Sequence, residues 1–148
     1  MALDLTDGII KNARALIWKK SAGNKLFLLT QEFSGYFTLP GGCKDLEDPD
    51  LISTLRRELE EELGLHPRDY SMQETDIKKE YENLYDIPAE RVGKKTLISL
   101  FIVSGLTKEP SPSDDIKSIT WMTAEEVSNA FNRPHFKELF DLAIEKLG

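Results

Sequence analysis

Cysteine is almost missing from this chain. Cys43 is the only one in 148 residues, so no internal disulfide can form and a reducing cytosol is the expected compartment. Histidine is nearly as scarce. His66 and His135 are too few and too scattered for a zinc centre, and Cys43 has no matching ligand set beside it. Positive charge is in the minority, 19 Lys and Arg against 26 Asp and Glu, for a net charge of −7. The general basic field of a nucleic-acid binder is therefore lacking, although a small polyanion is compatible with this charge if metal ions neutralise the site locally. Long apolar runs are absent too. No stretch is long enough to span a membrane, and Met1–Lys11 carries no signal-peptide pattern. The expectation is a cytoplasmic protein with no membrane or nucleic-acid partner.

What is present is the composition of a soluble globular domain, 40% hydrophobic and 30% charged. A length of 148 residues suits a single domain, 1–148, with a real core.

The informative stretch runs from Leu39 to Leu65, LPGGCKDLEDPDLISTLRRELEEELGL. A Pro-Gly-Gly turn leads into an acidic loop, with Cys43 at its start. Asp48-Pro49-Asp50 reads as a helix start, Asp48 capping free N–H groups and Pro49 at the first helical position. Gly64 reads as the stop. Leu51, Leu55, Leu59 and Leu63 recur every four residues and turn one stripe toward a core. Glu60 falls opposite that stripe and reads as a solvated side chain. Glu58 and Glu62 lie at its edge with Glu61 beside them, so the three carboxylates converge on one patch. Like charges crowded at a half-buried position need a positive partner, and a hard divalent cation with oxygen ligands supplies one. A Glu-rich helix can also be no more than a soluble helix of good propensity. The position beside the apolar stripe and directly after two glycines favours the metal reading.

This stretch resembles the Nudix box: Gly, five residues, Glu, seven residues, then Arg-Glu-apolar-x-Glu-Glu-x-Gly-apolar. Arg57 to Leu65, RELEEELGL, matches the second half at each fixed position. The first half departs. Counted from Gly42, the Glu position falls on Asp48 and eight residues precede Arg57; counted from Gly41, it falls on Glu47 with nine. The loop carries one extra residue, and Asp48, with Glu47 second, is the expected carboxylate partner of Arg57. The resemblance implies a Nudix-type α/β/α sandwich with a mixed sheet and Mg²⁺-dependent hydrolysis of a phosphoric anhydride, with Mn²⁺ as the substitute cation. It implies Glu58, Glu61, Glu62 and the Gly41 carbonyl as metal ligands, Glu58 or Glu61 as the base, and Arg57 as the side chain that orients the loop carboxylate.

Around the box, Ala13–Lys20 and Lys25–Gln31 read as strands joined by a Ser21-Ala22-Gly23-Asn24 turn. Met1–Lys11 reads as an edge segment or partly loose end, and Phe33–Leu39 as extended chain entering the glycine turn, with Tyr36 or Phe37 near the site or in the core. Tyr70–Glu80 alternates loosely, Tyr81–Lys95 reads as a loop, and Thr96–Leu106 as a strand buried on both faces. Lys108–Asp115 reads as a surface loop in which Asp114 and Asp115 are solvated charge. Ile116–Met122 reads as a strand, Thr123 opens a capping box, and Pro134–Leu147 is an amphipathic helix. Strands with a helix between them and helices at the end make an α/β sandwich with a mixed sheet.

The leaving group is set outside the box. Tyr81, sixteen residues after Leu65, resembles the diadenosine polyphosphate hydrolase branch, as does Tyr85-Asp86-Ile87-Pro88 followed by Lys94 and Lys95. In that branch an aromatic stacks on a base and a lysine reaches the polyphosphate. The favoured substrate is thus a dinucleoside polyphosphate. A nucleoside triphosphate pyrophosphohydrolase of MutT type and a catalytically silent nucleotide-binding domain stand as alternatives.

Overall fold

The computed structural model describes residues 2–82 and 93–147. Chain order is β1 (Ile9–Ser21), β2 (Asn24–Gln31), β3 (Phe37–Thr38), β4 (Gly41–Cys43), α1 (Leu51–Leu63), a 3₁₀ turn (Pro67–Asp69), β5 (Ser71–Glu82), β6 (Lys95–Ser104), β7 (Ser118–Met122), α2 (Ala124–Ala130) and α3 (Pro134–Leu147). The strands form one mixed sheet in which β1 runs parallel to β6 and antiparallel to β2 and β4. The expected α/β/α sandwich with a mixed sheet is what the chain adopts.

Strand alternation places the two cores. On one face of β1, Ala13, Ala15 and Ile17 pack with Leu55, Leu59 and Leu63 of α1. On the other, Leu16 packs with Leu29, Leu100 and the α3 residues Phe136, Leu139 and Phe140. The four-residue leucine spacing of α1 is thus satisfied: Leu55, Leu59 and Leu63 are fully buried, each contributing about 1.5–3 kcal/mol. Near the middle of β1 its antiparallel neighbour changes. Asn12 to Arg14 pair with β4, whereas Trp18 to Ser21 pair with β2. Between those stretches Ala15 N–H donates to Pro40 O at 2.8 Å, and the box glycines follow beside β1.

Several expectations need correction. The cap of α1 is Asp50, whose side chain accepts from the Ser53 N–H, so Pro49 lies outside the helix and Asp48 is released for another partner. Gly41, Gly42 and Cys43 are strand, not turn, because β1 offers a free edge that their backbone takes up. Phe33–Leu39 is not extended throughout. Glu32 to Tyr36 form a tight loop, Glu32 N–H to Tyr36 O at 2.9 Å, and only Phe37–Thr38 pair with β2. The N-terminal segment is tied down: Asp4 N–H donates to Lys44 O, Leu3 bridges Asp45, and Lys44 Nζ holds Asp4 at 2.7 Å. Tyr81 and Glu82 belong to β5 and Lys95 to β6, so the expected loop is shorter; Tyr85, Asp86, Ile87 and Pro88 lie outside the described residues. Gly64 ends α1 as expected, in the left-handed conformation at φ 67°. No helix among the described residues is long and apolar enough to cross a membrane.

Candidate active site

The site is built where α1 crosses β4. Arg57 is its organiser. Its Nε donates to Asp48 Oδ1 at 3.2 Å and its Nη2 to Asp48 Oδ2 at 2.9 Å, a two-pronged contact between a planar fork and a buried carboxylate. Asp48 also accepts from the Thr54 hydroxyl and the Asp45 N–H. The Arg57 bond above all holds its carboxyl down at about 2, against the opposing effect of burial. Glu47, the other loop carboxylate considered, is exposed. The extra residue in the loop is taken up between β4 and α1, leaving Asp48 two positions before the cap.

The other edge of Arg57 faces the carboxylate patch. Nη1 lies 3.1 Å from Glu58 Oε1 and 3.4 Å from Glu61 Oε2. Glu58 is largely buried, whereas Glu61 is half exposed. Behind Glu58 stands Gly42, where an added Cβ would come within 2.6 Å of the Glu58 carboxylate. Glu62 accepts the Gly41 N–H at 3.0 Å. Burial is the main cause that raises the Glu58 carboxyl and pushes Glu62 up to about 7, with the neighbouring carboxylates adding to it and Arg14 opposing it.

These features test a cation in the site. All side-chain donors are carboxylate oxygens, the chemistry that Mg²⁺ and Mn²⁺ accept. Glu62 has one backbone N–H and no ion-pair partner within 4 Å among the described residues, so an ionised carboxylate there lacks a counterion. Gly42 lets β4 lie directly against the Glu58 carboxylate, and Gly41 lets the same strand close onto the β1 backbone. The donor set therefore fits a hard divalent ion. The side chains are not already drawn into a cage: among the described residues no three His, Cys, Asp or Glu groups are gathered tightly enough to hold a metal. Arg57 instead bonds Glu58 and Glu61.

The substrate-side residues separate. Tyr81 lies at the end of β5 opposite Thr96, on the face that carries α3, and its ring stacks on His135 at 4.3 Å and 13°. One face of the Tyr81 ring is thus already covered. Burial raises its hydroxyl and lowers His135 to about 4, helped by Arg133 and Arg14, so the imidazole is neutral near pH 7. Lys95 sits opposite Glu82, one residue from Thr96 and so on the other face, and pairs with Glu80 at 3.3 Å. Lys94 is half-buried. Asp114 and Asp115 are exposed. Tyr36 is partly exposed under the Arg133 guanidinium, which also grips Glu32, while Phe37 packs on the core. Cys43 accepts a bond from Asn12 at 3.2 Å.

One residue escaped the sequence reading. Arg14 projects from β1 toward Phe136, held by Asn12 and by Leu39 O, and its charge is felt at Glu58 and Glu62 and at Tyr81 and His135. Its signal was a pair of polar residues, Asn12 and Arg14, on alternate positions of a strand whose other positions are core.

Known proteins agree with this architecture. The profile of the NUDIX domain matches residues 11–142. No curated protein matches the chain. Among solved structures, a Caenorhabditis elegans Ap4A hydrolase in a binary complex superposes with a TM-score of 0.77 at 20% identity, covering 93% of this chain and 97% of that one. The MutT protein of Methanosarcina mazei Go1 gives 0.72 at 20% identity, covering 93% and 94%. The NUDIX domain of Shewanella oneidensis NrtR, complexed with ADP ribose, gives 0.72 at 19%, covering 94% and 88%. At such identities the superpositions speak for the fold. With the profile match spanning nearly the whole chain, and with the box helix set against its glycine strand, the protein belongs to the NUDIX domain family and has the fold of a Nudix hydrolase.

Proposed function

We propose that this protein hydrolyses a phosphoric anhydride bond in a nucleoside diphosphate-linked substrate, with a dinucleoside polyphosphate favoured. The observation that carries the reading is the patch of Glu58, Glu61 and Glu62 laid against Gly41 and Gly42 and clamped from behind by Arg57 and Asp48. Of the three carboxylates Arg57 pairs with Glu58 and Glu61 only, which leaves Glu62 beside them without a cation within 4 Å among the described residues. Glu58, Glu61, Glu62 and the Gly41 carbonyl would hold Mg²⁺ or Mn²⁺, which supplies charge neutralisation of the phosphate oxygens and activation of a water.

The chain's own residues do the rest. Asp48 fixes the Arg57 fork, and Arg57 fixes Glu58 and Glu61 at the helix edge. Glu58 and Glu61 are the two candidate proton acceptors for the attacking water, and the general base needs only one of them. Leu55 and Leu59 beneath them keep water from the back of the helix.

The dinucleoside reading rests on Tyr81 on the α3 side of the sheet, and on the superposition with an Ap4A hydrolase. The covered face of Tyr81 limits it to edge or single-face contact with a base. Lys94 and Lys95 are the lysines proposed for the polyphosphate, and Lys95 would have to leave Glu80 to reach it. A triphosphate pyrophosphohydrolase is the second reading, favoured by the similar superposition with a MutT protein. Product analysis tests both. Diadenosine tetraphosphate cut to ATP and AMP, faster than any triphosphate, supports the first. Pyrophosphate released from a triphosphate supports the second. No turnover with either metal leaves a silent nucleotide-binding domain.

A further inference from the structure

Arg14 is the last residue of β1 that pairs with β4, before Trp18 takes β2 as its neighbour. It is half-buried on a strand whose neighbours Ala13, Ala15 and Leu16 are fully buried. A half-buried guanidinium beside core residues needs a reason, because removing it from water is costly unless its hydrogens find acceptors. Two do: Nε donates to Asn12 Oδ1 at 2.8 Å and Nη1 to Leu39 O at 2.9 Å. Its carbon also lies 5.3 Å from the Phe136 ring centroid. Among the described residues no acceptor takes the Nη2 hydrogens, and no carboxylate lies within 4 Å of the group. Asn12 and Leu39 O thus take one donor from each edge of the fork, Phe136 backs it, and Nη2 alone has no acceptor among the described residues.

Its charge reaches both halves of the site. It opposes the burial-driven rise at Glu58 and Glu62, and it is felt at Tyr81 and His135. An anchored guanidinium between a metal-type carboxylate patch and an aromatic stack is in position for an anion that spans the two. A charged N–H group whose plane is fixed by its other bonds is pre-aimed at a phosphate oxygen in a way that a freely rotating ammonium is not.

We propose that Arg14 is a substrate-phosphate ligand of this site, its Nη2 edge taking a non-bridging oxygen of a phosphate next to the scissile anhydride. The assignment rests on the anhydride hydrolase reading for its substrate class. Asn12 and Leu39 O act as positioning groups that stop the fork from swinging back onto Glu62. The chain thus carries its phosphate cation on β1, inside the fold.

The test uses the full chain as wild type, R14K and R14Q, with thermal melts as a check on folding. R14K keeps the charge and the packing stem, so it covers the case in which R14Q fails to fold. Binding of a nonhydrolysable methylene-bridged nucleoside triphosphate is measured by calorimetry with Mg²⁺ present, alongside kcat and KM on diadenosine tetraphosphate. The expected result is affinity lower by about 10- to 100-fold in R14Q and by less in R14K, carried in KM more than in kcat. Equal affinity in wild type and folded variants overturns the assignment, as does failure of the wild type to bind the probe. Arg14-dependent binding without turnover of any anhydride sinks the hydrolase reading and leaves the phosphate ligand standing.

Discussion

Arg57 and Asp48 meet through two parallel hydrogen bonds, at 3.2 and 2.9 Å, although they are nine residues apart and on opposite sides of a helix cap. This contact ties the acidic loop to α1 and sets the far edge of the same guanidinium against Glu58 and Glu61. Asp48→Asn keeps the volume but halves the fork. It should cost about 2 kcal/mol of stability and at least tenfold in kcat, with Arg57 no longer held. Urea unfolding and steady-state rates on the same preparation check this; a fully active D48N removes the clamp from the mechanism.

The same pair sets an acid limit. The Asp48 carboxyl is depressed from 3.8 to about 2, chiefly by Arg57. A carboxyl lowered on folding contributes stability that is fully present above its unfolded value and is lost as pH falls through the folded one. The pair's contribution should therefore fade between about pH 4 and pH 2, and D48N should flatten the wild-type stability curve in that window.

Glu62 works the other way. Burial lifts its carboxyl from 4.5 to about 7, so the folded metal-free chain holds a proton that the unfolded chain releases. Stability of the metal-free protein should fall as pH rises from about 4.5 to 7, by about 1–3 kcal/mol. Mg²⁺ should restore most of it at pH 7 or above. Melting curves in chelator and in Mg²⁺, for wild type and E62Q, give the answer; an E62Q curve parallel to wild type would exclude Glu62 as the source.

The two glycines of β4 separate fold from function. A Cβ on Gly41 would lie 2.0 Å from Ala13 O, at a φ of 144° that side chains rarely adopt, so G41A should lose several kcal/mol and fold poorly. A Cβ on Gly42 meets the Glu58 carboxylate, which can turn aside. G42A should therefore keep most of its stability and lose most of its activity. Paired melts and assays decide.

The box was legible in the sequence because Arg57 to Leu65 resembles a family motif residue by residue, and the layers because they follow from periodicity. The leucine spacing of α1, the continuous apolar run of β6 and the Thr123 capping box each dictate their element locally, and all three are present. The helix cap was misplaced by two residues because Asp48 and Asp50 have the same capping chemistry, and only the long-range pull of Arg57 distinguishes them. β4 was hidden for a related reason. Two glycines read as a turn, and it is the open edge of β1 that makes them a strand. Arg14 was overlooked although it and Asn12 break the apolar pattern of β1, because its surroundings are completed by Leu39 and Phe136 from other elements.

His135 offers an independent check on the α3 side of the site. Burial holds its imidazole at about 4, and the ring covers one face of Tyr81. Its NMR titration should show no protonation between pH 5 and 8. A histidine depressed on folding lowers stability as pH falls from 6.5 toward 4, so H135N should soften that dependence. A midpoint near 6.5 would mean that the ring is in water and the stack is open.

The most direct test of the account is turnover of diadenosine tetraphosphate by wild type, E61Q and E62Q, with Mg²⁺ and with chelator. The account predicts ATP and AMP from the wild type only when the cation is present, and loss of turnover by at least about a hundredfold in both variants with melting temperatures near wild type. Turnover that survives chelation, or undiminished rates in E61Q and E62Q, would contradict the assignment of these carboxylates.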